Sequence, residues 1–94
     1  PHFTFTLPID TAIISRIRIY FAQNDETILI KQGQHCTANN KEISVSLTQE
    51  ETFKFDDSSD MRIQVRVQTN AGEVFVSDIF RVDVKRCLDN EVLS

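Results

Sequence analysis

The chain has 94 residues, enough for one domain with a single core and too few for two. Its formal net charge is −4, whereas nucleic-acid-binding domains normally carry a basic surplus, so we predict no nucleic-acid ligand. Only two glycines are present, which excludes a glycine-rich phosphate loop, and we predict no cofactor. No apolar run approaches the ~20 residues of a membrane helix, so we predict no membrane association.

The first half of the chain predicts four strands joined by polar turns. Residues 2–7, 15–23 and 27–32 alternate apolar and polar side chains, the pattern of a strand with one buried and one solvated face. In the third of these strands we expect Ile28 and Ile30 to face the core. A short extended piece over residues 34–38 follows.

A fifth strand over residues 42–47 leads into a predicted helical turn at Thr48 to Thr52. Thr48 followed three residues later by Glu51 is the capping-box pattern, in which side chain and backbone hydrogen-bond reciprocally. After this turn we expect Phe53 and Phe55 to return to the core.

The clearest signal is a long hairpin over residues 61–84. Its first arm, MRIQVRVQT, alternates strictly, and its turn ends on Gly72, which suits the left-handed position of a three-residue loop. Alternation fails at Ser77-Asp78 in the second arm, which predicts a bulge there.

The predicted fold is therefore all-β. About seven strands with one short helical turn favour an antiparallel two-sheet sandwich of immunoglobulin-like topology, and a small closed barrel is the alternative. We expect one domain over residues 1–94 that ends in a short tail at about residues 86–94.

Candidate catalytic chemistry is sparse. Cys36 and Cys87 are expected to be reduced thiols, because small secreted disulfide folds usually have four or more cysteines. His35 beside Cys36 lacks the further ligands of a zinc site and the third group of a nucleophilic triad. We therefore predict no enzyme, no catalytic residue and no metal site; a redox or nucleophilic role for either thiol is the competing hypothesis.

The best candidates for a binding site are polar residues on the outer faces of two strands and apolar residues of the tail. If the two strands lay in one sheet, their arginines would form a patch for a protein or anionic partner, and the intervening tyrosine would suit such an interface. The alternative is that the arginines only keep the sheet from pairing with itself. The candidate interface residues are Arg16, Arg18, Tyr20, Arg62, Arg66, Leu88, Val92 and Leu93.

Four segments resemble a known group of proteins: FTFTLPID (residues 3–10), LTQEETFKFD (47–56), IQVRVQTNAGEVFVSDIF (63–80) and LDNEVL (88–93). Together they resemble small uncharacterised proteins encoded in tail and baseplate gene clusters of Firmicutes prophages. The shared motifs are structural and transfer no catalytic or binding residue.

The resemblance implies a structural or accessory protein that acts through protein–protein contacts in a phage tail or baseplate. Its partners would be other tail or baseplate proteins or further copies of itself, located in the virion or in the bacterial host cytoplasm during assembly. The edge strand at Phe3 to Leu7 and the tail at Leu88 to Leu93 are the expected docking elements. A carbohydrate-binding sandwich is the alternative function, for which Tyr20 is the one suitable exposed aromatic residue.

Overall fold

The structure, a computed structural model, describes residues 1–84. Within that range it contains one α-helical turn, α1 (Gln49–Thr52), and two 3-10 turns, Thr11–Ile13 and Gly33–His35. No helix within residues 1–84 has the length and apolar character needed to cross a membrane. The strands of this range are β1 (His2–Thr6), β2 (Ile14–Gln23), β3 (Glu26–Gln32), β4 (Cys36–Asn39), β5 (Glu42–Ser46), β6 (Asp60–Thr69), β7 (Val74–Val76) and β8 (Phe80–Asp83).

The strands form two antiparallel sheets. One has the order β1-β5-β4, and the other has the order β3-β2-β6, with β7 and β8 both paired to the remaining edge of β6. Residues 1–84 therefore form an all-β sandwich, as predicted. They contain eight strands where about seven were expected, because the second arm of the last hairpin is divided in two.

The core lies between the two sheets and is built by the alternation in the sequence. β1 contributes Phe3 and Phe5, and the ring of Phe3 lies 6.0 Å from that of Phe21 in the opposite sheet. On the central strand β6, alternate residues are almost completely buried, as predicted: Met61, Ile63, Val65 and Val67. Burial of these β-branched and aromatic side chains supplies the main driving force for folding.

The predicted capping box begins α1. The Glu51 backbone N–H donates to Thr48 Oγ1 over 3.1 Å, and the Thr48 N–H donates to Glu51 Oε1 over 2.8 Å. The expectation for Phe53 was wrong, since its side chain is 61% exposed, whereas Phe55 is buried as predicted. The helical turn accounts for the difference, because it directs Thr52 into the core and leaves the next residue on the solvent side.

A buried glutamine ties the following loop to β2. Gln23 is 4% exposed, and its amide accepts from the Asp56 N–H over 2.7 Å and donates to the carbonyls of Asp56 and Ser59. These bonds satisfy a polar side chain that would otherwise be destabilising in the core.

The predicted orientation of Ile30 was also wrong. The β2–β3 register shifts after Phe21, which pairs with Leu29 while Ala22 pairs with Thr27. The extra residue, Ile28, forms a bulge, so the inward parity of β3 changes. Ile30 consequently lies opposite Tyr20 and is 44% exposed.

The same bulge directs Lys31 inward, opposite the buried Ile19. Its ammonium lies 2.7 Å from the Glu51 carboxylate of α1, and little of either side chain is exposed. Burial by itself raises the pKa of Glu51, but hydrogen bonds from Lys31 and Thr48 outweigh it and hold the pKa below its ordinary value. This ion pair joins β3 of one sheet to the helical turn that connects the two sheets.

Candidate interaction face

The arginines predicted as interface residues lie on one surface of the larger sheet. β2 and β6 are direct neighbours, and their register places Arg18 opposite Arg66 and Tyr20 opposite Gln64. From Arg16 onward in β2, and along the whole of β6, even-numbered residues point away from the core, because the odd-numbered residues between them face it. The condition for the predicted patch, that both strands belong to one sheet, is therefore met.

A fifth arginine reaches the same surface from β8. Arg81 lies opposite Arg62 on β6. Unbroken alternation from β7 would have turned Arg81 inward, but one extra residue at the break reverses the parity: Val67 pairs with Phe75, and Ile63 pairs with Phe80. The predicted bulge at Ser77-Asp78 was the signal that could have found this residue. We call the surface formed by the following residues the arginine face: Arg16, Arg18, Tyr20, Arg62, Arg66 and Arg81.

Most of this positive charge is not neutralised within the described part of the chain. Arg62 forms an ion pair with Asp25, at 3.4 Å and with the Asp25 side chain 96% exposed. The other four arginines form no ion pair with any residue of 1–84. Half of the ten basic residues of an acidic chain are therefore concentrated on one sheet surface.

Apolar side chains lie beside the arginines. An open concavity of about 510 Å³ extends between Tyr20, Arg62 and Arg66, and its further wall is formed by Val76 and Ile79, which are 53% and 50% exposed. Arginine and tyrosine are enriched among the residues that dominate the energy of protein–protein contacts.

One end of the arginine face is acidic. Asp25 and Glu26 lie in and just after the β2–β3 turn and line the end of the concavity. Asp60, at the start of β6, is two residues from Arg62 and therefore on the same outer surface. Among residues 1–84, positive charge without an ion-pair partner is thus concentrated at the opposite end, around Arg16, Arg18 and Arg66.

A second exposed apolar feature lies along the edge of the sandwich. Within residues 1–84, β1 pairs only with β5, so it is an edge strand, as expected. An apolar groove of about 340 Å³ runs between Leu7 and β7–β8, where Phe75 and Phe80 remain partly exposed. The other expected docking element, with Leu88, Val92 and Leu93, lies outside the described residues.

Two features of residues 1–84 bear on the reactive chemistry considered from the sequence, the Cys36 thiol and the potential metal ligands. Cys36 Sγ donates to the Gln32 carbonyl over 3.2 Å, and burial raises the pKa of the thiol, with Lys31 offsetting only part of the effect. A raised thiol pKa lowers the fraction of nucleophilic thiolate. Among residues 1–84, no three His, Cys, Asp or Glu side chains are grouped so that they could hold a metal ion. Cys87 lies outside the described residues.

Comparison of the chain with protein-family models, with curated proteins and with solved structures gives no match in any of the three.

Proposed function

We propose that this chain is a non-enzymatic binding module that acts through protein–protein contacts made by the arginine face. The observation that carries the proposal is the convergence of five arginines and a tyrosine, from three strands, on one sheet surface beside exposed aliphatic side chains. Keeping a sheet soluble needs only scattered charges on its edge strands. On this sheet the arginines lie on the central strands β2 and β6 as well as on β8.

We place this module in a phage tail or baseplate, as a structural or accessory component. The support is the resemblance of residues 3–10, 47–56, 63–80 and 88–93 to small prophage tail and baseplate proteins. Its partners are other proteins of that assembly or further copies of itself, and its location is the virion or the host cytoplasm during assembly. Repetition around a ring multiplies weak single contacts by avidity, so one modest face is sufficient.

We further propose that the sandwich is immunoglobulin-like. The order β1-β5-β4 corresponds to strands B, E and D of that fold, and β3-β2-β6-β7 corresponds to C′, C, F and G. On this assignment the arginine face is the outer surface of the C′CFG sheet.

The test is quantitative mass spectrometry of particles purified from an induced host that carries this gene. The proposal expects the protein in the particles at a copy number that matches a ring. A protein that is abundant in the lysate and absent from particles and from assembly intermediates would contradict the structural role. Deleting Leu88 to Ser94 tests the tail, which is expected to be needed for incorporation but not for the fold.

A carbohydrate-binding module is the second candidate, favoured by the position of Tyr20 in the concavity beside polar Gln64. Sugar sites commonly combine an aromatic face with hydrogen-bonding side chains. This candidate expects saturable binding of host cell-wall polysaccharide that Tyr20→Ala abolishes, whereas the leading proposal expects a flat titration.

A further inference from the structure

The arginine face contains two like-charged cross-strand pairs, one on each side of β6. Arg18 is directly opposite Arg66, and Arg62 is directly opposite Arg81. Residues directly opposite each other in antiparallel strands have their Cβ atoms ~4.5–5.5 Å apart, and like charges in such positions are destabilising. Asp25 offsets part of this repulsion at Arg62, but within residues 1–84 no carboxylate pairs with Arg18 or Arg66. An external anion between Arg18 and Arg66 would convert the repulsion into attraction.

The spacing of the arginines matches an extended chain. Arg16 and Arg18 are alternate residues of one strand, so they are ~6.6 Å apart along it. Alternate side chains of an extended partner segment recur at the same interval. A segment with carboxylates at alternate positions can therefore pair with successive arginines, and guanidinium–carboxylate pairs can be bidentate.

Other features of the face favour a protein segment over a continuous polyanion. The acidic end at Asp25, Glu26 and Asp60 would repel a phosphate or sulfate chain that ran the full length of the face. The exposed Val76 and Ile79 offer contact area to apolar side chains. A short segment containing both carboxylates and an apolar residue uses both parts of the surface.

We infer that the arginine face binds an acidic, extended segment of a partner protein. One of its carboxylates lies between Arg18 and Arg66, the alternate one pairs with Arg16, and an apolar side chain of the same segment contacts Val76 and Ile79. This inference rests on the proposed function, since both use the arginine face, and it adds the chemistry of the partner.

The test uses the whole protein and two fluorescent peptides of equal length, measured by anisotropy. In one peptide glutamate alternates with threonine, and in the other glutamine replaces every glutamate. We expect saturable binding of the glutamate peptide alone, weakening as salt is added. Arg18→Gln/Arg66→Gln should weaken binding about tenfold or more, as expected when two central arginines are lost.

The matched control is Lys41→Gln/Lys54→Gln, which makes the same change in charge at two exposed positions outside the arginine face. It should leave affinity within about twofold, because isolated surface charges contribute little. The Arg18→Glu/Arg66→Glu variant should no longer bind the glutamate peptide and should instead bind a peptide in which lysine alternates with threonine. Thermal melting of each variant excludes misfolding, and the glutamine pair should melt no lower than the parent, because a repulsive pair is removed.

Several results would overturn the inference. Equal binding of the glutamate and glutamine peptides, or an equal loss in the lysine control, would show that the face does not select carboxylates. Tighter binding of a sulfated polysaccharide or a single-stranded oligonucleotide of matched charge would assign the face to a polyanion. A salt-sensitive dimer in light scattering that the Arg18/Arg66 variant abolishes would assign it to a second copy of the chain.

The inference and the proposed function can fail separately. If no acidic peptide binds but the Arg18→Gln/Arg66→Gln protein is still lost from particles, the partner chemistry is wrong and the structural role stands. If the acidic peptide binds with the expected selectivity and the variant enters particles normally, the partner chemistry stands and the arginine face is not the surface that docks the protein in the particle.

Discussion

Phe53 and Phe55 are two residues apart, yet the structure predicts opposite consequences for their replacement by alanine. Phe55 is 4% exposed and belongs to the core cluster, whereas Phe53 is 61% exposed. Burying a Phe side chain contributes about 1.5–3 kcal/mol, and the cavity left by truncation raises the total loss to about 3–5 kcal/mol. Phe53→Ala should change the free energy of unfolding by less than about 0.5 kcal/mol.

Circular dichroism in the β-sheet region, followed through urea and thermal unfolding, measures both variants against the parent. At about 4–8 °C per kcal/mol for a domain of this size, Phe55→Ala should melt roughly 12–40 °C lower, and Phe53→Ala should be nearly unchanged. Similar losses in both variants, or a larger loss at Phe53, would mean that the chain leaves α1 with the opposite orientation. That result would refute the account of how the helical turn orients the chain.

Three further predictions concern the polar contacts that hold the fold. Thr48→Ala removes the capping box and should destabilise the protein by about 1 kcal/mol in urea unfolding. An unchanged free energy of unfolding would contradict the capping role. Gln23→Leu should lower the free energy of unfolding by about 1–3 kcal/mol, because the Asp56 N–H and the carbonyls of Asp56 and Ser59 lose their buried partner. Protease cleavage within residues 56–59 should become faster. An unchanged cleavage rate would mean that Gln23 does not hold this loop to β2. The lowered pKa of Glu51 contributes stability above the unfolded-state pKa of about 4.3, and this stability is lost as the pH falls through the folded-state pKa. Glu51→Gln should therefore lose stability at neutral pH and show a flatter decline on acidification, whereas an unchanged pH profile would mean that the Lys31 pair does not contribute.

The alternation of buried and exposed residues and the local hydrogen bonds of the helical turn can be predicted directly from the sequence. The buried set Met61, Ile63, Val65 and Val67 follows from strict period-two spacing, and the first turn of α1 follows from Thr48 and its partner three residues on. Both depend only on residues close together in the chain. They were therefore predictable without knowledge of the tertiary structure.

Bulges were harder to predict, because one extra residue reverses the orientation of every side chain beyond it. Ile30 faces solvent and Arg81 joins the arginine face because of two such insertions. The bulge in the last hairpin was indicated in the sequence by the break in alternation at Ser77-Asp78. No break in alternation indicated the bulge at Ile28, since three consecutive apolar residues fit either orientation.

For the candidate site, the pairing of strands distant in the sequence could not be predicted. The sequence identified Arg16, Arg18, Arg62 and Arg66 as outward-facing but could not show that β2 and β6 are adjacent, since more than 40 residues separate Arg18 from Arg66. Gln23 was missed for the same reason, because its hydrogen-bond partners lie in a distant loop. Such contacts are determined by tertiary packing and not by local pattern.

The most direct test of the central claim is incorporation into particles of the Arg18→Gln/Arg66→Gln protein, measured beside the Lys41→Gln/Lys54→Gln control. Both proteins carry the same net charge, and both should fold. The account predicts that the control enters particles at the parental level and that the arginine variant is depleted at least severalfold while remaining folded in the lysate. Equal incorporation of the two variants would show that the arginine face is not the docking surface.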